Sequence, residues 1–259
     1  MAKPDLAVQS IIFGDRINSD LNGVLEDISA AGYTAIEAGN LYAAHGKATV
    51  NDALARNGVR IAGAHFGYNT YADDSLLKSA LTFATDAGVQ YMMCSGVADG
   101  SSVAGYKASA KRFNEVGKLL AEQGVRFNYH NHDWEFKDLG GSTGMDVLLQ
   151  ETDPDLVFLN IDVFWLWYAG QDPAEFIRRN ANRSGYFHFK DGKRVVNEEG
   201  KRVPQFLELG SGDVDLKGAY AAVAETAAQW VVTEQDRTML TPRESLSISR
   251  QYLRRALDL

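Results

Sequence analysis

The stretch of this chain best suited to chemistry is Phe127–Glu135, which reads FNYHNHDWE. Two of the five histidines of the protein, His130 and His132, lie here two residues apart. If the stretch is a β-strand, its period of two points both imidazoles to the same side. Such a pair is half of a metal site or of a proton-transfer site.

The other half of this site is predicted further along the chain. Asp162, His188 and Glu234 each end a short apolar run. Two carboxylates with one or two imidazoles form a ligand set that suits Mn2+, Co2+, Fe2+, Mg2+ or Zn2+ and differs from that of a closed structural zinc site. We therefore expect one bound divalent metal ion; these residues do not choose among the five cations, and we take Mn2+ as the leading candidate.

A repeated pattern of helix and strand would position these groups. Segments with helical spacing of apolar residues end in a glycine, and a β-branched or aromatic stretch follows. The glycines at these joints are Gly32, Gly58, Gly88 and Gly124. Because glycine readily adopts the left-handed conformation that closes a helix, the joints predict a repeated helix-to-strand unit.

The same pattern predicts eight strands. They are Leu6–Phe13, Thr34–Glu37, Arg60–Ala64, Gln90–Cys94, Val125–His130, Val157–Asp162, Tyr186–Phe189 and Trp230–Glu234. Strands that alternate with helices demand a parallel sheet, because a parallel return needs a crossover connection. Eight repeats without a linker-like stretch predict an α/β fold, a single (β/α)8 TIM barrel that spans residues 1–259.

A barrel of this kind builds its active site at the C-terminal ends of its strands. The polar residues predicted at those ends are Glu37, His65, His130, His132, Asp162, His188 and Glu234. The longest irregular stretch, 192–216, follows the seventh strand and is predicted to lie at the same face. It either covers the site or is a solvated surface excursion.

Composition excludes several classes of partner. The formal net charge is −8 and Lys and Arg form only short runs, so neither nucleic acid nor an anionic membrane is expected as a partner. The single cysteine, Cys94, excludes an internal disulfide and is compatible with a reducing compartment. The first residues lack the apolar core of a signal peptide, and no apolar run reaches the ~20 residues that cross a bilayer. We expect a cytoplasmic protein.

Three segments carry a resemblance to a known family: YHNHDWEF at Tyr129–Phe136, LNID at Leu159–Asp162 and HFKD at His188–Asp191. Together they resemble the sugar phosphate isomerase/epimerase superfamily of xylose isomerase-like barrels. The first matches the Tyr-His-Asn-His-Asp-aromatic-Glu-Phe motif of one branch. The likeness covers nearly the whole barrel. It implies one metal ligand from each of strands five to eight, which here are His130, Asp162, His188 and Glu234.

This chain departs from the family at one position. Many members carry a glutamate where His130 stands, and a pair of glutamates shuttles the proton in those members. Register with that glutamate favours His130 as the metal ligand, and His132 is the alternative. The loss of one glutamate leaves the identity of the base open.

The resemblance implies removal of a proton beside a sugar carbonyl, with a metal ion stabilising the resulting enediolate. His132 is the leading candidate for the general base, because histidine titrates near working pH. Glu234 is the second candidate, and Lys190 could polarise a substrate oxygen. The residues expected to line the substrate pocket are Glu37, His65, Trp134 and Trp165.

Two outcomes of this chemistry compete. The main expectation is a metal-dependent sugar isomerase or epimerase, in which the enediolate is reprotonated. The alternative is a lyase or hydratase on 3-keto sugars or 3-keto glycosides, in which a group at the β-carbon leaves. A phosphodiester nuclease would use more ligands around several metals and is disfavoured by the acidic charge. The intact ligand set argues against a barrel that only binds a small-molecule sugar, and the resemblance implies a homo-oligomer.

Overall fold

Eight parallel strands close into a barrel in the computed structural model, which describes residues 3–259. The ten strands are β1 (Asp5–Gln9), β2 (Ala35–Ala38), β3 (Arg60–Gly67), β4 (Tyr91–Ser95), β5 (Arg126–His130), β6 (Val157–Asp162), β7 (Ser184–Phe189), β8 (Asp191–Val196), β9 (Arg202–Leu207) and β10 (Trp230–Thr233). Around the barrel the order is β1-β10-β7-β6-β5-β4-β3-β2, while β8 and β9 form a separate antiparallel pair. The predicted (β/α)8 TIM barrel is confirmed.

Helices connect the barrel strands. They are α1 (Arg16–Ser19), α2 (Leu21–Ala30), α3 (Leu41–His45), α4 (Lys47–Asn57), α5 (Tyr68–Ala72), α6 (Asp74–Asp86), α7 (Val103–Ala121), α8 (Gly144–Glu151), α9 (Val163–Tyr168), α10 (Pro173–Arg179), α11 (Leu216–Val223) and α12 (Pro242–Ala256). Short 3-10 turns cover Ser10–Phe13, Trp134–Phe136 and Ala181–Arg183. Among the helices of residues 3–259, none is long and apolar enough to cross a bilayer.

The glycines predicted to end helices all have positive φ, with values of 89° at Gly32, 62° at Gly58, 68° at Gly88 and 71° at Gly124. The first strand differs from its prediction, because it ends at Gln9. The side chain of Gln9 accepts a hydrogen bond from the backbone N–H of Ile11 and turns the following residues into a 3-10 helix.

The barrel interior is divided along its axis. Small and large apolar side chains, among them Ala7, Ala62, Met93, Tyr186 and Trp230, fill it below the site. A larger apolar cluster packs between the outer faces of the strands and the helices. Because side chains alternate along each strand, the inward positions at the C-terminal ends remain for polar groups.

The prediction of an irregular stretch at 192–216 is wrong in part, because β8 and β9 form a hairpin there. The Asn197 side chain accepts hydrogen bonds from the backbone N–H groups of Glu199 and Lys201, and Gly200 has a φ of 73°. Charged residues surround this turn, and for that reason its sequence resembles that of a solvated loop.

The hairpin is attached to the barrel mouth along one side. Arg194 and Arg202 donate hydrogen bonds to the backbone carbonyls of Trp167 and Tyr168, respectively, at the end of α9. Each guanidinium also lies over the ring of the same residue, at 4.0 Å for Arg194 and 4.9 Å for Arg202. The hairpin therefore lies over the face that carries the strand ends.

Asp191 fixes the root of the hairpin. Its buried carboxylate accepts hydrogen bonds from the backbone N–H groups of Gly192, Gly210, Gly212 and Val214, at 2.8 to 3.2 Å. Four donors satisfy the charge of one buried carboxylate and hold the returning segment against the barrel.

We expect Gly117→Ala to destabilise the barrel. An ideal Cβ at Gly117 in α7 would lie 2.5 Å from the backbone oxygen of Leu156, just before β6. Although alanine normally stabilises a helix interior by about 0.5–1 kcal/mol, this overpacking should lower the free energy of unfolding by about 1–3 kcal/mol. Urea denaturation measures this free energy of unfolding. Lys118→Ala, at an exposed position of the same helix, should change it by less than about 0.5 kcal/mol; a stabilised Gly117→Ala variant would contradict the close packing.

Candidate active site and metal centre

Four strand ends bring the predicted metal ligands together. His130 ends β5, Asp162 ends β6, His188 lies in β7 and Glu234 follows β10 directly. One ligand atom from each side chain lies within 4.8 Å of those of the other three, and all four residues are buried. The parallel register explains this, because Asp162 and Val232 are both aligned with His188.

Glu37 supports this cluster from β2. Its Oε2 accepts a hydrogen bond from His188 Nε2 at 2.8 Å, while His188 Nδ1 contacts Glu234 Oε2. A carboxylate behind a metal-binding histidine fixes the tautomer and the orientation of the ring. The other oxygen, Oε1, lies 2.6 Å from His65 Nδ1, so both oxygens of Glu37 are engaged by imidazoles. Glu37 therefore lies behind the cluster, and its contact with a substrate stays a prediction.

The charges of the cluster fit a divalent cation. Asp162 Oδ1 accepts the backbone N–H of Trp165 at 2.9 Å, whereas its buried Oδ2 has no hydrogen-bond partner. Burial raises the pKa of Asp162 to about 7. Burial alone would lower the pKa of His188, but Glu37 and Glu234 raise it to about 10. A buried carboxylate oxygen without a donor is costly, and two nitrogens with two oxygens suit the cations that the resemblance implies.

His132 lies outside the group of four. Its ring stacks on Trp134, with the ring centroids 3.9 Å apart and the planes 12° apart, and its buried Nδ1 has no hydrogen-bond partner. Buried Glu135 fixes the turn, because its two oxygens accept hydrogen bonds from the Tyr129 hydroxyl at 2.6 Å and the His132 backbone N–H at 2.8 Å. The structure thus groups His130, rather than His132, with the other predicted ligands.

The environment of His132 differs from the expected one. Burial, together with the charge of Lys190, lowers the pKa of His132 to about 3. The sequence had suggested a pKa close to that of an ordinary histidine, and this expectation is wrong because the imidazole is packed between aromatic rings. His132 is therefore unprotonated throughout the neutral pH range.

Lys190 is fully buried beside the cluster. Its Nζ lies 2.6 Å from Asp236 Oδ1 and 3.2 Å from Glu234 Oε1. The rings of Trp165 and Phe206 lie 4.9 Å and 4.6 Å from the same atom. Burial alone would lower the pKa of Lys190, but the carboxylates of Glu234 and Asp236 raise it, so the ammonium is retained.

Asp236, Phe206 and Ser95 were not predicted from the sequence. Asp236 follows Glu234 by two residues, and that spacing was a usable signal. Ser95 lies one residue beyond the predicted fourth strand, and its Oγ is 2.5 Å from His65 Nε2. Phe206 reaches the site only because the hairpin folds back.

The four residues predicted to line the pocket have different positions. Trp134 has an exposed fraction of 36%, whereas Trp165 is buried and its Nε1 has no partner. His65 lies beside the cluster, with its ring centroid 5.0 Å from that of His130. Glu37 is buried behind the ligands. Trp134 thus keeps exposed aromatic surface and the indole N–H of Trp165 is unpaired, while the contact of either residue with a substrate stays a prediction.

Asp162→Asn should lose the metal and keep the fold. Asparagine keeps an oxygen for the Trp165 N–H at the start of α9 but removes the charge at Oδ2. Since losing a supporting residue costs about 10–100-fold in metal affinity, losing a ligand should cost at least about 100-fold. Titration with Mn2+ and thermal melting measure the two properties. Asp172→Asn, at the matching position of α10, is the control; full metal content in Asp162→Asn would contradict the ligand assignment.

Metal binding should release protons. Without metal, His188 with its pKa of about 10 is protonated at neutral pH, and that proton competes with the cation for Nδ1. The apparent affinity should therefore rise by up to about tenfold per pH unit between pH ~8 and ~9, with about one proton released per metal; near pH ~7 more than one proton should be released, because Asp162 with its pKa of about 7 is also partly protonated. Calorimetry in buffers of different ionisation enthalpy counts the protons. A pH-independent affinity would show that His188 is not a ligand.

Comparison with known proteins relates the chain to two curated relatives by sequence. Inosose dehydratase of Clostridium tetani (strain Massachusetts / E88) is 31% identical over 163 residues, which cover 57% of this chain and 53% of that protein. Inosose dehydratase of Clostridium botulinum (strain Alaska E43 / Type E3) is 30% identical over 160 residues, which cover 56% and 52%. The chain spans about half the length of the curated relatives it matches.

A solved structure and a family model match most of the chain. The crystal structure of a sugar phosphate isomerase/epimerase from Parabacteroides distasonis ATCC 8503 has a TM-score of 0.80 and 23% identity, covering 99% of this chain and 95% of that chain. That likeness shows a common fold. The family model described as xylose isomerase-like TIM barrel matches residues 25–256. The motifs had indicated this superfamily, and the chain belongs to the xylose isomerase-like TIM barrel family.

Proposed function

We propose that this protein is a divalent-metal-dependent carbon–oxygen lyase that acts on a keto sugar, a keto glycoside or a related polyhydroxylated ketone. The observation that carries the proposal is the buried cluster of His130, Asp162, His188 and Glu234, which lies beside Lys190. The sequence relatives named inosose dehydratase support elimination over isomerisation. The alternative outcome of the sequence analysis is therefore preferred to its main expectation.

His130, Asp162, His188 and Glu234 would hold the cation. When bound, a divalent metal ion supplies a Lewis acid that stabilises negative charge on a substrate oxygen. Mn2+ stays the leading candidate, with Co2+, Mg2+, Fe2+ and Zn2+ as alternatives. Glu37 keeps the His188 ring in the orientation that directs Nδ1 toward the cluster.

Proton removal beside the carbonyl needs a group that is unprotonated at working pH. His132 meets this condition because its pKa is about 3, and its Nδ1 is buried without a partner. Its low pKa also makes it a weak base, so Glu234, whose pKa is lowered by Lys190 and His188 despite burial, is kept as the second candidate. Lys190 stays the candidate for polarising a substrate oxygen.

The surroundings support an uncharged substrate. Trp134 and Trp165 offer apolar faces to a sugar ring, and the free Nε1–H of Trp165 can donate to a hydroxyl. Lys190 is already matched by Glu234 and Asp236, so its charge is not free to bind a phosphate. This supports an unphosphorylated polyol ketone over a sugar phosphate.

An isomerase or epimerase is the second candidate function. The same cluster and the same base would serve a reaction that returns the proton to carbon, and the sequence motifs made this the first expectation. The two functions differ only in whether a group leaves from the β-carbon. A cytoplasmic location, homo-oligomerisation and the lack of a nucleic-acid partner stay predictions.

Proton NMR in D2O tests the proposed function. Protein reconstituted with Mn2+ is incubated with ketoses and 3-keto glucosides, and the metal is then removed before spectra are recorded. Olefinic signals with release of an alcohol or water are the expected result. Deuterium beside the carbonyl with epimer or isomer signals, and no olefin, would instead establish the second candidate.

His132→Asn should keep the metal and lower turnover by about 10²–10⁴-fold, the usual contribution of a general base. Asparagine retains a polar group of similar size beside Trp134 but cannot accept the proton. Metal content and the rate of substrate deuterium exchange are measured together. His45→Asn, which changes a histidine on α3 bonded to the Ile17 carbonyl, is the matched control. A wild-type exchange rate in His132→Asn would assign the base to another group.

A further inference from the structure

Three neighbouring strands carry a hydrogen-bonded chain of serine, histidine and glutamate. Ser95 Oγ lies 2.5 Å from His65 Nε2, and His65 Nδ1 lies 2.6 Å from Glu37 Oε1. Glu37 is fully buried, and the side chain of His65 has an exposed fraction of 11%. A nucleophile or donor, an imidazole and an orienting carboxylate in this order form the arrangement that moves protons in many active sites.

The chain of Ser95, His65 and Glu37 lies in the part of the barrel that the predicted ligands do not use. The ligands come from β5, β6, β7 and β10, which are consecutive around the barrel, and the relay residues come from β2, β3 and β4. Ser95 is aligned with His130 across the β4–β5 pair, so the two groups meet at one strand boundary. The predicted ligands and this hydrogen-bonded chain therefore lie on two sides of the same barrel mouth.

Elimination needs a proton donor as well as a base. An alkoxide or hydroxide leaves slowly unless its oxygen is protonated as the bond breaks, and a donor that is correctly placed contributes about 10²–10⁴-fold. His132 and Glu234 are assigned to the removal of the proton from carbon. Lys190 is held between two carboxylates. The proposed function does not yet assign a residue to the role of proton donor.

We infer that Ser95, His65 and Glu37 form a proton relay that protonates the leaving oxygen of the substrate. This role rests on the lyase function proposed above. Ser95 is the catalytic donor that touches the substrate, His65 resupplies its proton, and Glu37 is a positioning residue that holds the His65 ring through Nδ1. Glu37 thus serves both sides of the site, because its other oxygen accepts from His188.

The step balances without a further reactant. In this step Nδ1 of His65 donates to Glu37, and Nε2 passes a proton to Ser95. The C–H bond beside the carbonyl breaks and its proton goes to the base, while the electron pair forms the C=C bond and the β C–O bond breaks. The leaving oxygen takes the proton of Ser95, and Ser95 takes the Nε2 proton of His65. The products are the enone and an alcohol; the base then releases its proton to solvent and His65 takes one up, so that the site returns to its starting state.

A purely structural role would give these three residues a different signature. If they only oriented His188 through Glu37, their loss would weaken metal binding and would slow every substrate alike. A relay predicts instead that the defect depends on the leaving group, because a group that departs as a stable anion needs no proton. The same variants can therefore separate the two roles.

The experiment compares two 3-keto glucosides that differ only at the leaving group, methoxide or 4-nitrophenoxide. His65→Gln and Ser95→Ala are assayed as Mn2+-loaded proteins, with metal content measured on each sample. Elimination of methoxide should fall by about 10²–10⁴-fold, while elimination of 4-nitrophenoxide and the metal content should stay close to those of the wild type. In D2O, deuterium should accumulate beside the carbonyl of the recovered methyl 3-keto glucoside, because the proton at that carbon is still removed. Ser79→Ala, an exposed serine on α6, is the control, and Ser95→Thr should restore the methoxide reaction.

Each other outcome has a definite meaning. Equal losses for both leaving groups, or loss of metal with loss of activity, would overturn the relay and support a structural role. Unchanged methoxide elimination in both variants would also overturn it. If the wild type exchanges the carbon-bound proton but eliminates neither group, the lyase function fails and the relay step fails with it. That result differs from the others because it concerns the wild type.

Discussion

Buried negative charge at the mouth of the barrel is the constraint on which the site depends. Glu37, Asp162 and Glu234 are all buried, and a buried carboxylate is costly unless a cation or several donors face it. His188 lies between two of the carboxylates, and Lys190 contacts Glu234 from the other side. Asp162 keeps one oxygen without a partner. The fold thus concentrates more negative charge than its own side chains can match, which is the condition that favours a bound cation.

The parallel barrel solves the problem of placing so many polar groups together. Each strand contributes inward side chains only at every second residue, and the closed hydrogen-bond register fixes their heights relative to each other. Below the site, Met93, Tyr186 and Trp230 fill the interior and exclude water. Polar residues at the strand ends therefore lie on a rigid apolar base, where small distances are maintained without loops. Glu37 gains its central place because His65 and His188 approach it from two sides.

The sequence predicted much of this site because its signals are local. The predicted ligands end apolar runs, and parallel strands bring their carboxyl ends to one edge. Ser95 gave no such signal, since a serine at the end of a strand is chemically unremarkable until His65 is seen beside it. Phe206 reaches Lys190 only through the folded hairpin, a long-range contact that no local pattern encodes. The turn at Asn197 was hidden by the surrounding charges, and the lowered pKa of His132 depends in part on Trp165 and Lys190, which are distant in sequence.

The hairpin of β8 and β9 forms its own two-stranded sheet, anchored at its root by Asp191 and along its side by Arg194 and Arg202. It contributes Phe206 to the site but no strand to the barrel. The part of the chain that covers the candidate site is therefore separate from the barrel strands that carry the predicted ligands. Divergence or laboratory evolution can alter the length and the side chains of such a hairpin while the strand ends with the predicted ligands stay unchanged.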